Sequence, residues 1–222
     1  MSQIEELDFS SPKIVLSVGK QKSGKTNMTK HLIIKNSIKK KIFNFRIVFT
    51  GSSYSDEYNY LPKKFIIDGW NDDIFNNYIK KLKKRVDKVG EKQFPANFMI
   101  IDDCLGLIQR KGFIRNLYSC HRHLNMTIFL NSQYYYDVDT VMRELIHYAI
   151  LFNTKSFRSL KAYFEQFGML FEKFEQFKEY FFNCTKEKYS AMLYVADEDD
   201  INKNYLSIKS PDVSKLDIKL KY

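Results

Sequence analysis

One octapeptide, Gly19-Lys20-Gln21-Lys22-Ser23-Gly24-Lys25-Thr26, constrains this chain more than any other feature. It follows a β-branched run, Lys13-Ile14-Val15-Leu16-Ser17-Val18, that reads as a buried strand. It precedes apolar residues at Met28, Leu32 and Ile33, which are spaced as on a helix. Strand, G-x-x-x-x-G-K-[ST] loop and helix form the context that a phosphate-binding loop requires. Successive backbone N–H groups curl into a concave nest, and the helix N-terminus adds roughly half a positive charge. Gly24 lets the backbone approach phosphates closely, Lys25 reaches the β- and γ-oxygens, and the Thr26 hydroxyl is a magnesium ligand. Gly19 through Thr26 is therefore the expected nucleotide-binding segment, with ATP and Mg²⁺ as the expected cofactors.

Strand and helix signals alternate beyond the loop. Arg46 to Thr50 reads as a strand, and Phe65-Ile66-Ile67 is a short apolar piece. A helix capped by Asp72 or Asp73 has an apolar face of Ile74, Tyr78, Ile79, Leu82 and Val86. Phe98-Met99-Ile100-Ile101 is the most apolar strand candidate. Helices are expected over 113–121, 137–147 and 157–180, the last broken at Gly168, and strands over 126–130, 148–152 and 189–195. The pattern predicts an α/β fold of the P-loop NTPase kind, with a mainly parallel sheet and helices on both faces. Residues 1–196 are read as the ATPase domain and 197–222 as a loosely attached C-terminal tail or extension. The 222 residues are 44% apolar and 28% charged, enough for one sizeable core and too rich in apolar residues for disorder. No run approaches a membrane span, and the acidic start is not a secretory signal. Three scattered cysteines, Cys104, Cys120 and Cys184, argue for a reducing intracellular compartment rather than a disulfide scaffold.

Two acids, Asp102 and Asp103, close the apolar strand. Ligands of open parallel sheets lie outside the carboxyl ends of the strands, which puts this pair beside the phosphates. Asp102 is expected to hold Mg²⁺, and Asp103 to orient or deprotonate the attacking water. The strand from Arg46 to Thr50 intervenes between loop and acids. That order favours an ATP hydrolase over kinases and GTPases, whose two motifs lie on neighbouring strands. Ile128-Phe129-Leu130 ends in Asn131-Ser132-Gln133, and the uncharged Gln133 amide can read the γ-phosphate or position water.

In this order, Gly19 to Thr26, Ile100-Ile101-Asp102-Asp103, and Arg122-His123 ahead of a strand ending in Ser132-Gln133 resemble a known family. It comprises the poxvirus-type genome-packaging ATPases of large double-stranded DNA viruses, giant viruses and virophages, within the FtsK/HerA superfamily. The resemblance spans residues 13 to about 160. It implies a RecA/FtsK/HerA-like sheet with an additional strand between phosphate loop and acidic strand. It also implies a ring of five or six subunits that drives double-stranded DNA into a capsid, with capsid or portal vertex proteins as further partners. Its place would be the virion, the host cytoplasm or the viral factory. In that family an arginine from the neighbouring subunit completes the site, and Arg122 matches it best, ahead of Arg115 and Arg143. Relatives often carry glutamate where this chain has Asp103.

The net charge of +10 is compatible with a polyanionic partner, although lysine-heavy composition also follows from an AT-rich genome. Lys80 to Arg85 could track phosphates, but an ordinary solvated helix face is the stronger reading. Arg110 and Lys111, in the loop after the acids, could line a pore. Zinc binding by Cys104, Cys120 and the neighbouring histidines fails on ligand spacing. A GTPase reading of Asp103-Cys104-Leu105-Gly106 lacks the aspartate that reads guanine, and a nucleotide-gated scaffold has no need of the second acid. The aromatic run from Phe164 to Phe181 reads as core or subunit contact rather than a base-stacking platform.

Overall fold

The computed structural model describes residues 7–39, 43–52, 56–108, 117, 121–196, 198, 200–213 and 220. Eight strands form one sheet: β1 Ile14–Val18, β2 Phe45–Thr50, β3 Ile66–Asp68, β4 Asn97–Asp102, β5 Met126–Ser132, β6 Tyr148–Phe152, β7 Ser190–Val195 and β8 Tyr205–Lys209. Their order is β3-β2-β4-β5-β1-β6-β7-β8. Pairing is parallel from β3 to β6 and antiparallel at β6–β7 and β7–β8.

Period-two alternation splits the core into two layers. Ile14, Leu16 and Val18 of β1, Met99 and Ile101 of β4, and Ile128 and Leu130 of β5 face one side. They meet Phe75, Leu82 and Val86 of the helix Asp72–Val89, and the aromatic helices Phe157–Phe167 and Phe174–Thr185. Val15, Phe98, Ile100, Phe129 and Ile150 face the other side, where Met28, Leu32 and Ile33 of the helix Lys25–Ile34 cover them. In chain order these helices are α1 (Lys25–Ile34), α2 (Asp72–Val89), α3 (Thr140–Arg143), α4 (Phe157–Phe167), α5 (Phe174–Thr185) and α6 (Ile201–Asn204). Among the described residues no helix is long and apolar enough to cross a membrane.

Local signals account for the helix ends. The Asn71 side chain accepts from Ile74 N and starts α2, and Gly168 N donates to Phe164 O and ends α4. The break expected at Gly168 is present, and Phe167, Phe177 and Phe181 are core residues. The expected helix over 137–147 is reduced to α3, because the chain tightens into three-residue turns (Leu145 N to Met142 O) before β6 begins. The helix expected over 113–121, together with Arg110, Lys111, Arg115 and Cys120, lies largely outside the described residues.

The expected loose tail is corrected at residues 205–210. β8 pairs residue by residue with β7, from Tyr194↔Tyr205 to Ser190↔Lys209. The Tyr205 ring is buried, and its hydroxyl donates to Phe167 O at 2.5 Å. Within the strand, Tyr205 and Ile208 are the buried apolar side chains.

Candidate functional site

Register brings four polar side chains into one row at the carboxyl ends of β2, β4, β5 and β1. Thr50 pairs with Asp102, Asp102 with Asn131, and Asn131 with Ser17. All four are buried and lie on the α1 side of the sheet. Thr29 on α1 donates to Asn131 Oδ1 at 3.0 Å, which ties the helix to the row.

The phosphate loop sits above this row. Gly19 N donates to Ser132 O at 3.1 Å, so the β5 tip holds the start of the loop. Gly24 has φ +111°, a conformation strained for any L side chain, and a Cβ there would lie 2.9 Å from Ser210 Cβ. Lys25 is 6% exposed, and its ammonium donates to Gly19 O at 2.8 Å and Lys20 O at 3.3 Å. Burial lowers the Lys25 pKa, while the carboxylates of Asp103 and Asp102 act against that shift.

Asp102 and Asp103 have opposite environments. Asp102 is 4% exposed, and Oδ2 accepts a 2.5 Å hydrogen bond from the Tyr58 hydroxyl. Its Oδ1 is buried and makes no hydrogen bond within the protein. A buried carboxylate oxygen left open this way suits a hard cation, and the Thr26 hydroxyl belongs to the first turn of the adjoining helix. These residues therefore fit Mg²⁺. Asp103 adopts φ +51°, which an aspartate tolerates better than a bulky residue. Its backbone N donates to Asn131 O at 3.0 Å, and its Oδ2 accepts from Gln133 Nε2 at 2.9 Å. The tips of β4 and β5 thus share one carboxylate–amide contact at an exposed edge.

Burial pushes the Asp102 carboxyl up to about 6, against the opposing effect of the Tyr58 hydrogen bond. In metal-free protein the folded state keeps this proton over a range where the unfolded chain has lost it. Stability from this group is therefore present below about pH 4 and is lost as pH rises through about 6. Asp102→Asn removes the titration. Relative to that variant, the wild-type protein should lose about 2 kcal/mol between pH 4 and 6, out of a total on the order of 3 kcal/mol once the group is fully ionised. Chemical denaturation of both proteins across this pH range checks the difference, and parallel profiles would contradict the buried carboxyl.

A family profile described as Poxvirus A32 protein matches residues 3–161. The chain belongs to the poxvirus A32 family. The resemblance carried by the phosphate loop, the acidic strand and the Ser132-Gln133 tip is thereby borne out. An uncharacterized protein, 075L, of Invertebrate iridescent virus 6 is 24% identical to this A32-family chain over 185 residues, 80% of this chain and 68% of its own length. The genome packaging NTPase B204 from Sulfolobus turreted icosahedral virus 2, solved with ATP-gammaS, has a TM-score of 0.61 at 23% identity and covers 90% of this chain and 97% of that one. The cytoplasmic domain of the Thermomonospora curvata Type VII secretion ATPase EccC reaches 0.59 at 15% identity, over 89% of this chain and 25% of that one. These likenesses establish the expected P-loop α/β fold.

Within the A32-family fold, Lys25, Asp102, Asp103 and Gln133 converge at one end of the sheet. Arg122 does not join them. It is exposed in the turn before β5, where its carbonyl accepts from Asn125 N, and β5 separates it from the loop by roughly 20 Å. Arg143 is engaged elsewhere, donating from Nε to Val138 O at 3.0 Å and lying 4.4 Å from the Tyr135 ring centroid. Sequence reasoning missed Tyr58, Thr50 and Ser17. Tyr58 lies 44 residues before Asp102, and only its place in a tyrosine-rich stretch marked it.

Proposed function

We propose that the protein is an ATP-hydrolysing translocase that packages double-stranded viral DNA into a capsid and works as a ring. The observation that carries this reading is the convergence of Lys25, Asp102, Asp103 and Gln133 on the mouth of the phosphate loop, in a chain of the A32 family. The phosphate loop, Gly19 to Thr26, would cradle the triphosphate through its backbone N–H groups. Lys25 would turn from the Gly19 and Lys20 carbonyls toward the β- and γ-oxygens and neutralise their charge. Thr26 and Asp102 would hold Mg²⁺, which when bound supplies charge neutralisation at the phosphates. Asp103 accepts the proton of the attacking water, and Gln133 fixes the carboxylate and the water in line.

The distance of Arg122 from its own loop restricts any phosphate role to a neighbour's site. In the ring we assign it to stabilise charge on the phosphoryl group being transferred in the adjacent subunit. DNA contacts would rest on backbone charge and be indifferent to sequence. Lys80, Lys81, Lys83, Lys84 and Arg85 are exposed on α2 and would supply such contacts. Capsid or portal vertex proteins would anchor the ring, in the cytoplasm or viral factory of the infected cell or on the assembling virion.

ATP turnover per subunit should rise steeply with protein concentration and with double-stranded DNA, and DNA stimulation should weaken between low and moderate salt. Arg122→Ala should leave nucleotide binding by the isolated subunit unchanged while lowering turnover of the assembled form roughly a thousandfold. Turnover per subunit that is constant on dilution and indifferent to DNA would sink the motor reading. It would leave a simple NTPase.

A further inference from the structure

The order of the strands gives the site a direction. Asp102, Asp103 and Gln133 all lie at the tips of β4 and β5, on one side of the phosphate loop that follows β1. A triphosphate whose terminal phosphate faces these groups must lead its nucleoside the other way, toward β6, β7 and β8. Two clefts flank the loop on that side. One, of about 450 Å³, is lined by Lys20, Lys22, Ser23 and Asn153; the other, of about 510 Å³, by Asn27 and Ser210. Both volumes fall in the range of small-molecule sites. Tyr189 lines both clefts.

Tyr189 is unusual in its backbone as well as its place. It adopts φ +69°, a region that bulky residues rarely occupy and that recurs at functional sites. Two contacts hold it there. Ser190 N donates to Glu187 O at 3.2 Å and closes the turn, while Ser210 N donates to Tyr189 O at 2.8 Å. Ser210 in turn donates from Oγ to Gly24 O at 2.9 Å. A single residue therefore links the tyrosine turn to the phosphate loop, which sets the ring at a fixed offset from the phosphates. Tyr189 is 41% exposed, with the Lys188 ammonium 4.8 Å from its ring centroid.

We propose that Tyr189 is the platform on which the nucleobase stacks, rendering the β6–β8 side of the loop a purine-binding subsite. This inference rests on the phosphate-loop reading above. Stacking uses the face of the phenol ring and does not read the edge of the base, so it favours the larger purine surface over pyrimidines without separating adenine from guanine. Phe152, the other aromatic residue that lines these clefts, is buried in the core and offers no free face.

The test uses the full chain with two probes, ATP and base-free inorganic tripolyphosphate, each with Mg²⁺ and titrated by calorimetry. Tyr189→Gly keeps the positive φ and removes the ring, and Tyr189→Phe keeps the ring. The glycine variant should bind ATP weaker by on the order of tenfold or more and tripolyphosphate as wild type does, while the phenylalanine variant retains ATP affinity. Unchanged ATP affinity in Tyr189→Gly overturns the proposal, as does an equal loss of both probes, which would mark the ring as structural support. Wild-type protein that binds neither probe strikes down the phosphate-loop reading itself.

Discussion

Lys25→Ala is expected to abolish measurable ATP hydrolysis, a fall of at least about a hundredfold. Lys20 and Lys22 of the loop are exposed, whereas the Lys25 ammonium is buried, donating to Gly19 O and Lys20 O and sensing Asp103 and Asp102. On the proposed reading, its removal deletes the charge that would meet the developing negative charge on the γ-phosphate, and it also releases the two ties that this side chain makes to the loop. Lys25→Met separates these effects from packing, since it keeps an apolar stem in the buried channel. Both variants should fold, because the sheet and its two core layers do not depend on this side chain. Steady-state phosphate release on each variant provides the measurement. Full activity in either one would remove the phosphate-loop assignment.

The second large effect is expected at Asp103. Asp103→Asn is nearly isosteric, tolerates the left-handed backbone that the position requires, and can still accept a hydrogen bond from Gln133. It cannot take a proton from water. Turnover should fall by about 10²–10⁴-fold, with nucleotide affinity within about twofold of wild type. Equilibrium binding of a labelled nucleotide beside single-turnover hydrolysis separates the two quantities. A variant that retains its turnover would shift the water-activating role away from Asp103. The contrast with Asp102 follows from burial: Asp102 is 4% exposed, bonded to Tyr58 and open at Oδ1, which suits a cation ligand better than a proton acceptor for water.

Features written within a few residues were legible in the chain. The phosphate loop depends on glycines, a lysine and a threonine at set intervals, and both its flanking strand and its helix show in local apolar spacing. The same holds for Asp102 and Asp103, because an apolar run that stops at two carboxylates marks a strand tip. The break at Gly168 was visible for the same reason. The helix over 137–147 was overcalled, since its apolar spacing ignores how soon β6 must start.

What escaped was every pairing between residues distant in the chain. Tyr58 and Asp102 are 44 positions apart, Ser210 and Gly24 are 186 apart, and neither member of these pairs advertises the other. The strand from Tyr205 to Lys209 exists because β7 offers it an edge with the right register, and that edge is not written in its own five residues. Motif order and periodicity were enough for the α/β class, the resemblance they carry led to the family, and they singled out four residues that the fold gathers beside the phosphate loop, Lys25, Asp102, Asp103 and Gln133. Which oxygen of Asp102 stays open, where Arg122 lies relative to its own loop, and which tyrosine faces the nucleoside side followed from strand order and register. Those depend on how the whole sheet packs, and no local window of the chain contains that information.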